Sequence, residues 1–124
     1  MKQLVLVFIG GGFGSTLRFL IGKQFTTDSY HFPWGTFTVN LIGSFIIGTV
    51  FGYILVKHKV SNELFVFLVA GFCGGFTTFS AFTHESISFL KAGQTNLFLS
   101  YLLSSIILGL FCVWLGYIVS TKLI

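Results

Sequence analysis

Long apolar runs separated by short polar stretches dominate the chain. A membrane-crossing helix needs ~20 mostly apolar residues. Four segments reach that length, at residues 3–22, 34–56, 64–90 and 97–121. Pro33 sits at the start of the second, where its missing N–H costs nothing. The intervening stretches QFTTDSYHF, KHKVSNE and KAGQTN are short, so consecutive helices run antiparallel. The pattern predicts an all-α integral membrane protein, a single four-helix domain over residues 1–124 with no linker.

Composition strengthens that reading. Hydrophobic residues make up 54% of the chain and charged residues 8%, against ~25% charged in an ordinary soluble domain. Mean hydropathy is +0.93. Too little polar surface is present to keep the fold in water. The charges are scattered, so nothing resembles the basic patch of a nucleic-acid binder. Cys73 and Cys112 lie in apolar segments without metal-ligand spacing and read as small buried residues. The first twenty residues superficially resemble a signal peptide, but no A-x-A cleavage pattern follows. They are expected to remain as the first helix.

Counting basic residues by side gives Lys2, Lys57, Lys59 and Lys122 on one face, and Lys23 and Lys91, with Arg18 near that end of the first helix, on the other. This is a weak positive-inside bias. It fits ordinary termini-inside insertion, and equally a chain that inserts both ways round and pairs with its inverted copy.

Small residues indicate where helices touch. Gly10 and Gly14, Gly48 and Gly52, and Gly71 and Gly75 are each four apart, and Asn40, Ser44, Gly48 and Gly52 form one stripe. In lipid, close backbone approach drives helix packing. Packing accounts for the glycines but not for Asn40, whose amide must find partners or line something polar.

The third segment contains GFCGGFTTFSAFTHE, residues 71–85. Gly74 and Gly75 each weaken a helix by ~1 kcal/mol relative to alanine, and Thr77 and Thr78 are β-branched. A helix break is expected there. Backbone freed at membrane depth is tolerated only inside protein or a polar cavity, and such carbonyls suit Na⁺. Phe79 and Phe82, three apart, share a face if the helix resumes. A ring edge is electropositive and can touch an anion without offering a full charge, although spacing alone fits plain packing as well. Thr36, Thr38 and Asn40 on the second helix and Ser104 and Ser105 on the fourth supply further donors. Arg18 either snorkels to the interface or draws anions toward a vestibule.

Taken together, GGGFGSTLRF, GTFTVNLIGS and GFCGGFTTFSAF resemble the Fluc (CrcB-like) fluoride channels, and the resemblance covers essentially the whole chain. It implies a dual-topology antiparallel homodimer with two pores in the cell's inner (plasma) membrane, with the third helix broken mid-membrane. It also implies a passive channel exporting fluoride from the cytoplasm to relieve its toxicity. The partners so implied are fluoride, the membrane lipid and a second copy of the chain. By motif match, Asn40, Phe79 and Phe82 fall on the pore, Thr36, Ser80 and Glu85 on a polar track, and Ser105 on its fourth-helix continuation. Arg18 falls near the vestibule. A structural Na⁺ at the dimer centre would be held by backbone carbonyls of Gly74 and Thr77. Gly109 stands where a further polar side chain is possible.

Enzymatic chemistry has no footing in these residues. No nucleotide loop, metal cluster or nucleophile–base pair is present, and His84 and Glu85, as helical neighbours, point ~100° apart. A small proton-coupled multidrug or cation exporter shares the size, but it needs an embedded carboxylate. Glu85 is the only candidate in any span. A purely structural membrane subunit would not need the break or Asn40.

Overall fold

The computed structural model describes residues 1–25, 31–57 and 61–123, with the side chains of Lys57 and Leu123 outside that description. Lys59 of the basic residues counted above, and Asp28, lie outside the described residues. Helix α1 runs Lys2–Gln24 and α2 runs Trp34–Lys57. The third span is composite. It holds α3 (Asn62–Phe65), a π-helical stretch Val66–Cys73, α4 (Gly74–Phe76) and α5 (Phe79–Lys91). Helix α6 runs Thr95–Leu123. Four helical spans, Lys2–Gln24, Trp34–Val56, Asn62–Lys91 and Thr95–Lys122, are long and apolar enough to cross a membrane. Phe8, Phe19, Leu110 and Trp114 are among many large apolar side chains left on the outside, as lipid as solvent requires.

Local chemistry explains the ends. Ser61 caps α3 by accepting from the Leu64 N–H at 3.2 Å. Between α5 and α6, Gly93 adopts φ +72°. The Gln94 N–H reaches the Phe89 carbonyl at 2.9 Å and the Gly93 N–H reaches that of Leu90 at 3.1 Å. This is a Schellman closure, which needs the left-handed residue that glycine supplies without strain.

Helices α2 and α6 form the most extensive pair, while α1 packs along the π-helical stretch and α4. Both contacts are made by backbones in direct approach. A Cβ on Gly14 would run into the Phe72 carbonyl, and one on Gly48 into the Val113 carbonyl. The glycines spaced four apart thus lie at helix crossings, as packing in lipid requires. The π winding of Val66–Cys73, rare in proteins and usually confined to single turns, is not foreshadowed in the sequence pattern. At the chain's start, Lys2 pairs with Glu63 at 3.1 Å, an exposed bridge of small energetic weight.

The buried centre is aromatic. Phe37, Phe89 and Tyr101 form a cluster joined by Phe32 and Phe82. It ties α2, α5 and α6 together next to the carboxylate of Glu85.

Candidate ion pathway

The third span bends at a two-residue interruption on the threonines of the expected break, while Gly74 and Gly75 remain helical. Thr77 (φ −83°, ψ 158°) and Thr78 (φ −148°, ψ 122°) are both extended, between α4 and α5. Side chains supplement or replace the helical bonds here, and the Thr77 N–H still reaches the Cys73 carbonyl at 3.0 Å. Thr77 Oγ1 donates to the Cys73 carbonyl at 2.8 Å. Thr78 Oγ1 accepts from the Ala81 N–H at 3.2 Å and so caps α5. Asn40 of α2 clasps Thr78 from the side. Its Oδ1 accepts the Thr78 N–H at 2.8 Å, and its Nδ2 donates to the Thr78 carbonyl at 3.1 Å. The amide satisfies both backbone polar groups of one residue and keeps one N–H in reserve.

Two carbonyls lose their helical partners through this arrangement. In a continuous helix the Thr78 N–H would go to Gly74 and the Ala81 N–H to Thr77. Asn40 and the Thr78 hydroxyl take those protons instead. Gly74 lies on the outside of the chain and Thr77 is half-buried. Oxygen donors of this kind, from unwound backbone, fit a Na⁺ ion. Thr77 is also pressed against α2, because a Cβ on Gly43 would collide with the Thr77 γ-methyl group.

Two cavities flank the clasp. The inner one, of about 320 Å³, is lined by Asn40, Ser44, Thr78, Phe79, Phe82 and Ser105. Ser105 Oγ is buried there without a hydrogen-bond partner, so the cavity holds an unused polar group. Phe79 and Phe82 stand 5.9 Å apart, centroid to centroid, tilted at 37°. Phe79 is 77% exposed. Ser80, also exposed, lies 3.2 Å from Thr78 through their hydroxyls.

The second cavity, of about 310 Å³, opens between the end of α1, the start of α2 and α5. Thr36 and Glu85 both line it. Thr36 Oγ1 donates to Glu85 Oε1 at 2.7 Å, and Tyr101 Oη donates to Glu85 Oε2 at 2.7 Å. Each carboxylate oxygen therefore holds a short, charge-assisted bond. Tyr101 is completely buried, and its ring lies 5.0 Å from that of Phe82. The sequence of groups thus runs from the Asn40 amide past Phe79 and Phe82 to Tyr101, Glu85 and Thr36. Thr36 and Asn40, one turn apart on α2, serve one cavity each.

Of the residues singled out from sequence, Asn40, Phe79, Phe82 and Ser105 share the inner cavity, and Thr36 and Glu85 share the mouth cavity. Arg18 is half-buried on α1 and lines neither of them. Tyr101 and Thr78 were missed. A phenol amid the apolar residues of the fourth helix, one of two there with Tyr117, in a chain with one embedded carboxylate, was the available signal for Tyr101. The signal for Thr78 was a hydroxyl residue immediately ahead of a helix start.

Comparison with known proteins bears on this geometry. The family model described as CrcB-like protein, Camphor Resistance (CrcB), matches residues 5–117. A relative from Phocaeicola vulgatus, named fluoride-specific ion channel FluC, is 46% identical over 120 residues, covering 94% of this chain and 96% of the relative. Relatives of the same name from Bacteroides fragilis, 44% identical with 94% of each chain covered, and Aquifex aeolicus, 43% identical with 99% of this chain and 100% of the relative covered, agree with it. With a match of this extent, the chain belongs to the CrcB-like family.

Proposed function

We propose that the protein is a fluoride-selective passive channel of the cell's inner (plasma) membrane, releasing fluoride from the cytoplasm. The carrying observation is the Asn40 clasp on Thr78, which leaves one amide N–H beside the Phe79–Phe82 pair and the unpartnered Ser105 hydroxyl. The names of the relatives supply the ion.

Fluoride holds water tightly, and a deep cationic site would trap it. Conduction requires binding strong enough to admit the ion and weak enough to release it. Neutral donors and ring edges spread along a path meet that condition: the Asn40 amide, the edges of Phe79 and Phe82, and the hydroxyls of Ser80, Ser105 and Thr36. An inside-negative potential of ~100 mV is worth ~2.3 kcal/mol per charge and drives the anion outward. No catalytic residue or energy source is required.

In this reading the working unit is an antiparallel homodimer with two pores. Two features support it. Phe79 projects from its own chain. An apolar groove of about 500 Å³ along α5 and α6, lined by residues including Phe79, Ile87, Phe98 and Ile106, is left for a neighbour. A structural Na⁺ at the centre would be held by the Gly74 and Thr77 carbonyls of both copies, pinning the two interrupted spans together.

The test is fluoride efflux from liposomes carrying the purified protein, with chloride efflux in parallel. Fast fluoride release with little chloride release is expected. Fluoride trapped behind a folded, dimeric protein would overturn the reading and turn attention to Glu85 and proton-coupled cation export. Cross-linking in detergent checks the dimer. Exchange of Na⁺ for a bulky organic cation during purification is expected to lower the flux.

A further inference from the structure

The mouth cavity contains two residues to which the pathway assigns no role. His31, just before α2, and His84, one residue before Glu85 on α5, both line it, and both are exposed. Thr36 and Glu85, hydrogen-bonded to each other, line the same cavity. That arrangement poses a charge problem. An anion approaching Thr36 meets the Glu85 carboxylate, whose repulsion grows as local dielectric falls. Thr36 and Tyr101 supply hydroxyl bonds to the carboxylate but no net charge.

We infer that His31 and His84 make the mouth cavity a proton-dependent collecting site for small anions, feeding the Thr36 end of the pathway. The inference rests on the channel reading above. Imidazole is the side chain that changes charge between about pH 5 and 8. Two imidazolium groups would outweigh the Glu85 carboxylate and turn the cavity electropositive. A cleft lined by one sign of charge raises the local concentration and entry rate of the opposite ion by roughly 10- to 1,000-fold.

The other walls do not supply this response. Among the described residues, α1 contributes Gly22 and Phe25, α2 contributes Gly35 and Thr36, and α5 contributes Ser88 and Phe89 besides His84 and Glu85. Among the described residues, the ionisable groups facing the cavity are His31, His84 and Glu85. Lys23 adjoins Gly22 at the end of α1 but is not among the residues lining the cavity. A metal centre is not indicated, since no three His, Cys, Asp or Glu residues among the described residues gather as ligands.

The experiment is fluoride current through the purified dimer in planar bilayers at low ionic strength, at about pH 7.5 and about pH 5.5. Current counts only charged fluoride, because undissociated acid crossing the lipid carries none. The readout is the ratio of the acid to the neutral current. The unaltered protein is expected to give a ratio of roughly ten, the lower end of the steering range for a charged cleft. The His31→Gln, His84→Gln double variant should bring the ratio near one. A His31→Gln, His84→Lys variant should stay insensitive to pH with a higher current than the double glutamine variant. About 1 M impermeant salt, with a Debye length near 3 Å, should flatten the response of the unaltered protein. A ratio near one in the unaltered protein, or a rise that survives in the double glutamine variant, overturns the inference and leaves the channel reading standing. Absence of fluoride current from folded protein at either pH overturns the channel reading, and the inference with it.

Discussion

Phe76 and Phe79 stand three residues apart on either side of the interruption, and their surroundings are opposite. Phe76 is 1% exposed and stacks on Phe72 at 5.4 Å, while Phe79 is 77% exposed. The same contrast separates the two halves of the third span. The half before the interruption is packed against α1 through glycines that leave no room for a Cβ. Membrane packing explains it fully. The half after it presents an unsupported ring, a capping hydroxyl and a carboxylate held by two hydroxyls. Packing does not explain those features, and they are where permeation chemistry is argued.

Phe76→Ala is the strongest way to sharpen the contrast. Emptying a fully enclosed aromatic site costs roughly 3–5 kcal/mol, so the variant should lose most of its thermal stability in detergent. Asn40→Ala comes next. It leaves the Thr78 N–H and carbonyl without side-chain partners, at roughly 1–3 kcal/mol, and should also abolish fluoride efflux. Phe79→Ala is milder for folding and more telling. Phe79 lies outside its own chain's core, so the loss of stability should stay well below that of the Phe76 variant. Phe79→Ala should also slow efflux roughly ten-fold, the rate equivalent of about 1.4 kcal/mol. A Phe79 variant with normal flux, or one as unstable as the Phe76 variant, would dissolve the distinction between the two halves.

The four spans were legible because length and apolar content decide membrane helices almost alone. The interruption was legible in part: Thr77 and Thr78 leave the helix as expected, whereas Gly74 and Gly75, expected to weaken it, stay helical. What could not be read were pairings between distant positions. Glu85 meets Tyr101 sixteen residues away, and Asn40 meets Thr78 thirty-eight residues away. No local pattern encodes such distances. Asn40 could be recognised as an amide in need of partners, but its bonding to the Thr78 backbone depends on how α2 crosses the interruption. The π winding of Val66–Cys73 was equally invisible, because its residues are the ordinary apolar ones of any span.

Two glycines of the α2–α6 pair provide the smallest and most discriminating test of the contrast. At Gly48 a Cβ would enter the Val113 carbonyl, whereas at Gly109 it would meet only Ser44 Oγ, at an ordinary 3.9 Å. Ser44 lines the inner cavity, so a hydroxyl at position 109 would extend the polar lining on the fourth helix. Gly109→Ser should leave stability within about 0.5 kcal/mol and change fluoride efflux by no more than about two-fold, since added neutral donors bind weakly and release readily. Gly48→Ser, the same chemical change four residues beyond Ser44, should force the helices apart and cost roughly 1–3 kcal/mol. Thermal stability and efflux measured on the pair separate the two roles of glycine. Equal damage from both substitutions would mean that the wall at Gly109 is as closed as the crossing at Gly48, and that the cavity beside Asn40 has no room to conduct.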